Sequence, residues 1–138
     1  MSGWRFLDRE IALAIHEHVL AAHGGSVGVI SEEALEGALR RPLDLARAAP
    51  RCDAARLAAA TAAGFIRNHP FMQGKKRVAL VALELFLADN GYDLAASDEE
   101  LFVVMSQFAG REIEEEVLAG WVRDHVVSRA ARGDRMRA

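Results

Sequence analysis

Apolar residues recur with the period of an α-helix along almost the whole chain. From Asp8 to about Ala22, Ile11, Ile15 and Val19 fall at i, i+4 and i+8, with Ala12 and Leu20 on the same face. Asp8 stands where an N-cap is needed, and Gly24 and Gly25 end the segment. Residues 24–30, GGSVGVI, mix glycine with β-branched residues, which excludes a helix and suits a small non-helical or β-hairpin flap. Ser31 caps a short helix predicted over 32–40 and stopped by Pro42, and a loop rich in Arg, Ala and Pro follows to Arg51.

Two segments read as core helices. Residues 53–67 are nearly all alanine with Leu57, Phe65 and Ile66, and small side chains around a whole helix mean close approach by several neighbours. Residues 74–90 are apolar almost all round, interrupted from Val78 onward only by Glu84, the pattern of a helix in the middle of a domain. Asn90 and Gly91 stop it. Ser97 and Glu100 form a capping box for a helix to about Phe108. The last helix is predicted over 112–128, with acids in its first turn where the macrodipole favours them. The sum is an all-α bundle with one flap near residues 24–30. It forms a single domain over 1–130, with a basic, frayed tail at 131–138.

Composition narrows the function. A chain of 138 residues, 51% hydrophobic, is one domain that folds without staples. The lone Cys52 excludes a disulfide framework or cysteine zinc cluster and suits a reducing cytosol. A net charge of −3 argues against direct nucleic-acid binding. MSGWRFLDRE carries acids and lacks the apolar core of a secretory signal, and no apolar run reaches the roughly 18 residues of a membrane span. The expected location is cytoplasmic. His16 and His18 lie on different faces of one helix, and His16 and His23 are too far apart to chelate, so no metal site is expected among them.

Residues 69–77, HPFMQGKKR, sit between the two core helices and break the pattern. Pro70 forces His69 out of the helix, and Gly74 permits a tight entry into the next one. Lys75, Lys76 and Arg77 then load that helix's first turn with cations, although a helix N-terminus carries partial positive charge and prefers acids. Free backbone N–H groups there favour phosphate, and an anion would explain the cations. His69 adds a proton acceptor that titrates near physiological pH. Phosphoryl or nucleotide chemistry is one reading. A basic solvated turn is the other.

The stretches FLDREIALAIHEHVLAAHGGSVGV, LEGALRRP, IRNHPFMQGKKRVALVALELFLADNGYDL and SDEEL resemble the Fic/Doc (Fido) family and, within it, the death-on-curing (Doc) toxins. His69, Phe71, Gly74, Lys76 and Arg77 match the family motif H-x-F-x-D/E-A/G-N-K/G-R. The resemblance implies a Fido-type helical bundle and a role for each matching residue. His69 would be the general base, Phe71 the loop anchor, Gly74 the opening of a phosphate-binding helix and Arg77 a phosphate contact. Lys76 matches the Doc branch, in which a phosphoryl group is transferred rather than a nucleotidyl group. The flap, Gly25, Ser26, Val27 and Gly28, would hold a target segment by strand addition. ATP or another nucleotide would be the donor and a protein hydroxyl the acceptor. A translation factor such as elongation factor Tu would be the target, and an antitoxin chain the regulator.

Two positions depart from the motif. Gln73 replaces the acidic residue that binds Mg²⁺, and Lys75 replaces the asparagine beside the phosphates. An amide is a poor ligand for a hard cation, so Mg²⁺ is not expected at Gln73. Either Lys75 partly replaces the metal's charge, or the chain is a catalytically weakened Fido protein acting by nucleotide or partner binding. Another carboxylate, Asp44 or Asp53, is the alternative route to a metal. Ser31, Glu36 and Gly37 nearly match a self-inhibitory motif of some Fic proteins, but the spacing is one residue too long.

Overall fold

Alanine decides the centre of the molecule. In the computed structural model, which describes residues 3–25, 28–29, 31–71 and 74–130, helix α3 (Ala54–Asn68) buries every residue from Ala54 to Ile66 except Arg56. Its small side chains let α2 (Glu32–Ala48), α4 (Lys75–Asp89) and α6 (Glu115–His125) all pack directly on it. Helix α4 is the second core element, with Val78, Leu83, Phe86 and Leu87 sealed from solvent. Helices α1 (Arg9–His23) and α5 (Asp98–Ala109) lie against α4. Strands β1 (Tyr92–Leu94) and β2 (Val126–Ser128) form a two-stranded antiparallel sheet in which Asp93 faces Val127. The fold is all-α, as the periodicity implies, with this one small sheet among the described residues.

The predicted caps are where the sequence puts them: Asp8 accepts from Ile11 N at 2.9 Å and Ser31 from Ala34 N at 3.1 Å. Asp53, which reads as the first residue of its helix, is instead its cap and accepts from Arg56 N at 2.9 Å. Ser97 and Glu100 close their reciprocal box. None of the described helices is long and apolar enough to cross a membrane.

Two expectations change, and one is narrowed. Pro42 does not stop α2, which runs on to Ala48 with the proline buried inside it. Proline removes the hydrogen bond to Ala38 O and crowds that carbonyl, but α2 buries one face against α3 and the helix survives. Gly64 of α3 is seated on this same carbonyl, so closely that a Cβ there would lie 2.5 Å from Ala38 O. The last helix begins at Glu115 rather than 112 and ends at His125, not 128. Val126 and Val127, β-branched and able to pair with β1, leave the helix for the sheet. Finally, the flap is non-helical at Gly24, Gly25, Gly28 and Val29, and Val29 makes a single antiparallel bridge to Phe71. Ser26 and Val27 lie outside the described residues, as does the tail 131–138.

Candidate active site

Helix α3 ends because Pro70 cannot extend its hydrogen-bond ladder. His69 is the C-cap, at φ 51° and ψ 57°, so it leaves the helix through the left-handed region rather than the extended one. A non-glycine residue there stores about 1–2 kcal/mol of strain. Two neighbours brace this end of α3. Arg67 donates to Phe108 O at 2.8 Å with its guanidinium 4.1 Å above the Phe108 ring, and Asn68 donates to Ala34 O at 3.2 Å. These braces pair residues far apart in the chain, so periodicity could not reveal them.

Phe71 fastens the loop that follows. Its side chain is 1% exposed. The ring stacks on His16 at 4.0 Å with a 9° interplanar angle and lies nearly parallel to Phe65 at 6.2 Å. Its backbone bridges Val29, so α1, α3 and the flap converge on one residue.

Gly74 opens α4 at φ 81°, a conformation that favours glycine, and a Cβ there would press on Val19 Cγ1 at 3.2 Å. Among the described residues no side chain caps α4 or α6, but α6 opens with Glu115 and Glu116 whereas the first turn of α4 holds no acid. Lys75 and Arg77 are half-buried and Lys76 is exposed. The Arg77 guanidinium lies 4.2 Å over the Phe102 ring, with Lys76 Nζ at 5.9 Å from it. A stacked guanidinium engages its flat face and leaves the N–H groups at its edge for an anion. Gln73, the altered metal-ligand position, lies outside the described residues.

Arg77 also lines a cleft of about 160 Å³ between α1, α4 and α5, shared with His18, His23, Glu84 and Asp98. Burial, and then the charge of Asp98, pushes the Glu84 carboxyl above its ordinary value. In the sequence Glu84 is only a break in an apolar run. Its position two turns after Arg77, on the same helix face, was the available signal.

The other candidates fall elsewhere. Asp53 caps the far end of α3 and is paired with Arg123 at 2.6 and 3.0 Å, about 24 Å of helix from His69. Asp44 lies ten residues along α2 from Ala34, the contact of Asn68, or about 15 Å. Neither carboxylate replaces the missing acid of the loop. Among the described residues no group of three or more His, Cys, Asp or Glu can hold a metal ion. Ser31 acts as a helix cap, while Glu36 of the near-match motif is exposed. Cys52 is half-buried, and burial pushes its thiol above its ordinary value.

The model of the Fic/DOC family matches residues 6–87, a span that takes in α1, the flap, α2, α3, the His69 loop and nearly all of α4. No curated protein matches the chain.

Proposed function

The chain belongs to the Fic/DOC family, and on that premise we propose that it transfers a phosphate-containing group, phosphoryl rather than nucleotidyl, from a nucleotide to a protein hydroxyl. One observation carries this. His69 is held in a left-handed turn at the end of α3, six residues before a helix whose first turn has no acid, carries three consecutive cations and, among the described residues, has no side-chain cap. Such a helix start is unfavourable by itself and becomes favourable around phosphate.

The residues divide the work by chemistry. The N–H groups at the start of α4, with Lys75, Lys76 and Arg77, bind and orient the nucleotide phosphates. His69 takes the proton from the acceptor hydroxyl as its oxygen bonds to the γ-phosphorus. The bond from that phosphorus to the bridging oxygen breaks, and the nucleoside diphosphate leaves with the electron pair. The flap presents the acceptor segment by strand addition, with Val29 already bridged to Phe71. In this role the chain is the toxin of a toxin–antitoxin pair, acting in the cytoplasm on a translation factor such as elongation factor Tu and silenced by an antitoxin chain. A divalent metal does not fit the described residues, because the helix start offers cations and no carboxylate. No step above passes through one.

The half-buried Lys75, standing where the family has asparagine, favours a second reading in which transfer is weakened and the protein acts by binding. Mass spectrometry of cellular proteins after expression of the chain separates the two. An increment of one phosphoryl group on a protein hydroxyl supports the kinase, and a nucleotidyl increment reassigns the moiety. An unmodified proteome, together with nucleotide-induced thermal stabilisation, supports the binding protein.

A further inference from the structure

We infer that His16, on α1 and outside the loop, is a positioning residue that sets the orientation of His69 by stacking on Phe71; this rests on the role of His69 proposed above. Only two polar side chains among the described residues are buried, His16 and Thr61. Thr61 donates its hydroxyl to Leu57 O at 2.8 Å. His16 sits on a face otherwise made of Ala12, Ile15, Val19 and Leu20, with its ring laid on Phe71.

Its geometry explains the choice. The imidazole lies flat on Phe71 at 4.0 Å and 9°, and Phe65 lies at 7° to the same ring, so the plane of Phe71 is set by parallel neighbours from two helices. Between Phe71 and His69 stands only Pro70, whose φ is locked near about −65°. Pro70 therefore removes one torsion from the short backbone path between the stacked ring and the base. A left-handed backbone at His69 persists only while its surroundings over-determine it. The flat stack adds to the bracing that Arg67 and Asn68 give this end of α3, and a branched aliphatic side chain of similar bulk offers no flat face to stack.

The test uses the full chain with His16→Leu, which keeps apolar volume and loses the flat ring, and His16→Phe, which keeps a flat ring. Imidazole NMR resonances of His69 are assigned by their loss in His69→Ala. His125, which stacks on Trp121 at 4.2 Å in α6, serves as the remote control. His16→Leu is expected to shift or split the His69 signal while His125 stays unchanged, and His16→Phe is expected to leave both as in the natural chain. An unmoved His69 signal in His16→Leu overturns the assignment. So does a parallel change at His125, which would make His16 a packing residue only. Should His16→Leu not fold, His16→Met takes its place with the same outcomes.

With γ-labelled ATP and lysate protein as substrates, His16→Leu is expected to lower kcat about tenfold at unchanged KM for ATP, with His16→Phe restoring most of the rate. A kcat equal to that of the natural chain also overturns the assignment. If His69→Ala transfers at full rate, or the natural chain transfers nothing, it is the proposed role of His69 that fails. The NMR comparison then still decides whether His16 positions the loop.

Discussion

His69 pairs a candidate chemical role with an unfavourable backbone, and two substitutions separate these properties. His69→Ala and His69→Gly both remove the imidazole, so both are expected to abolish transfer and any growth inhibition while leaving the fold intact. Only glycine relieves the left-handed conformation at φ 51°. Denaturant melts should therefore show His69→Gly more stable than His69→Ala by about 0.5–1 kcal/mol; equal stability would mean that the loop relaxes once the histidine is gone. Lys75 carries the second prediction at this scale. If its charge stands in for a metal, nucleotide binding and transfer are insensitive to Mg²⁺. Lys75→Asn alone should then weaken binding by about tenfold or more, the worth of one charge-assisted contact. If the site has instead decayed, Gln73→Asp with Lys75→Asn restores Mg²⁺-dependent transfer that the natural chain lacks. Neighbouring substitutions are not additive, so the double variant is measured directly.

Between elements, the close approach of α2 and α3 depends on one missing methyl group. A Cβ at Gly64 would meet the backbone of Ala38 at 2.5–3.0 Å, whereas one at Gly120 of α6 meets nothing within 4 Å. Gly64→Ala is expected to destabilise the protein by about 2–3 kcal/mol as the helices are forced apart. Gly120→Ala should stabilise it by about 0.5–1 kcal/mol through helix propensity. The two thermal shifts therefore have opposite signs. At the other end of α3, the Arg123 guanidinium holds the Asp53 carboxyl below its ordinary value. A lowered carboxyl pKa stabilises the folded state above the unfolded value of about 3.9 and stops doing so as pH falls through the folded value. Asp53→Asn keeps a capping side chain but loses the ion pair, which is half-exposed. It should therefore melt slightly lower at pH 7, by about 0.5 kcal/mol, with the difference shrinking as pH falls below the unfolded carboxyl value.

For the whole molecule, a ligand that binds only the folded state must raise the melting temperature. ATP at about a hundred times its Kd should add roughly 2.7 kcal/mol, with or without Mg²⁺. Replacing Arg77 with alanine should remove most of that shift. No shift with any nucleotide would leave a helical interaction module with an unexplained basic turn.

Helix content, core helices and cap residues were legible in the chain because they depend on local spacing. An alanine-rich segment and a continuous apolar segment have few stable places other than the centre, and Asp8, Ser31 and Ser97 cap the helices that follow them. The loop was legible for the same reason, since HPF followed by GKKR breaks a helical pattern visibly and places cations where they are disfavoured. Wherever the physical cause lay in a distant partner, the sequence was silent or misleading. Pro42 reads as a stop because its local hydrogen-bond loss is visible and the burial of α2 against α3 is not. Val126 and Val127 read as helix because the strand that captures them lies more than thirty residues earlier. His16 reads as one more imidazole on a helix, and Glu84 as an interruption. Only the packing of α1, α3 and the flap around Phe71 puts the first against the candidate catalytic loop, and only the meeting of α1, α4 and α5 puts the second in a cleft with Arg77.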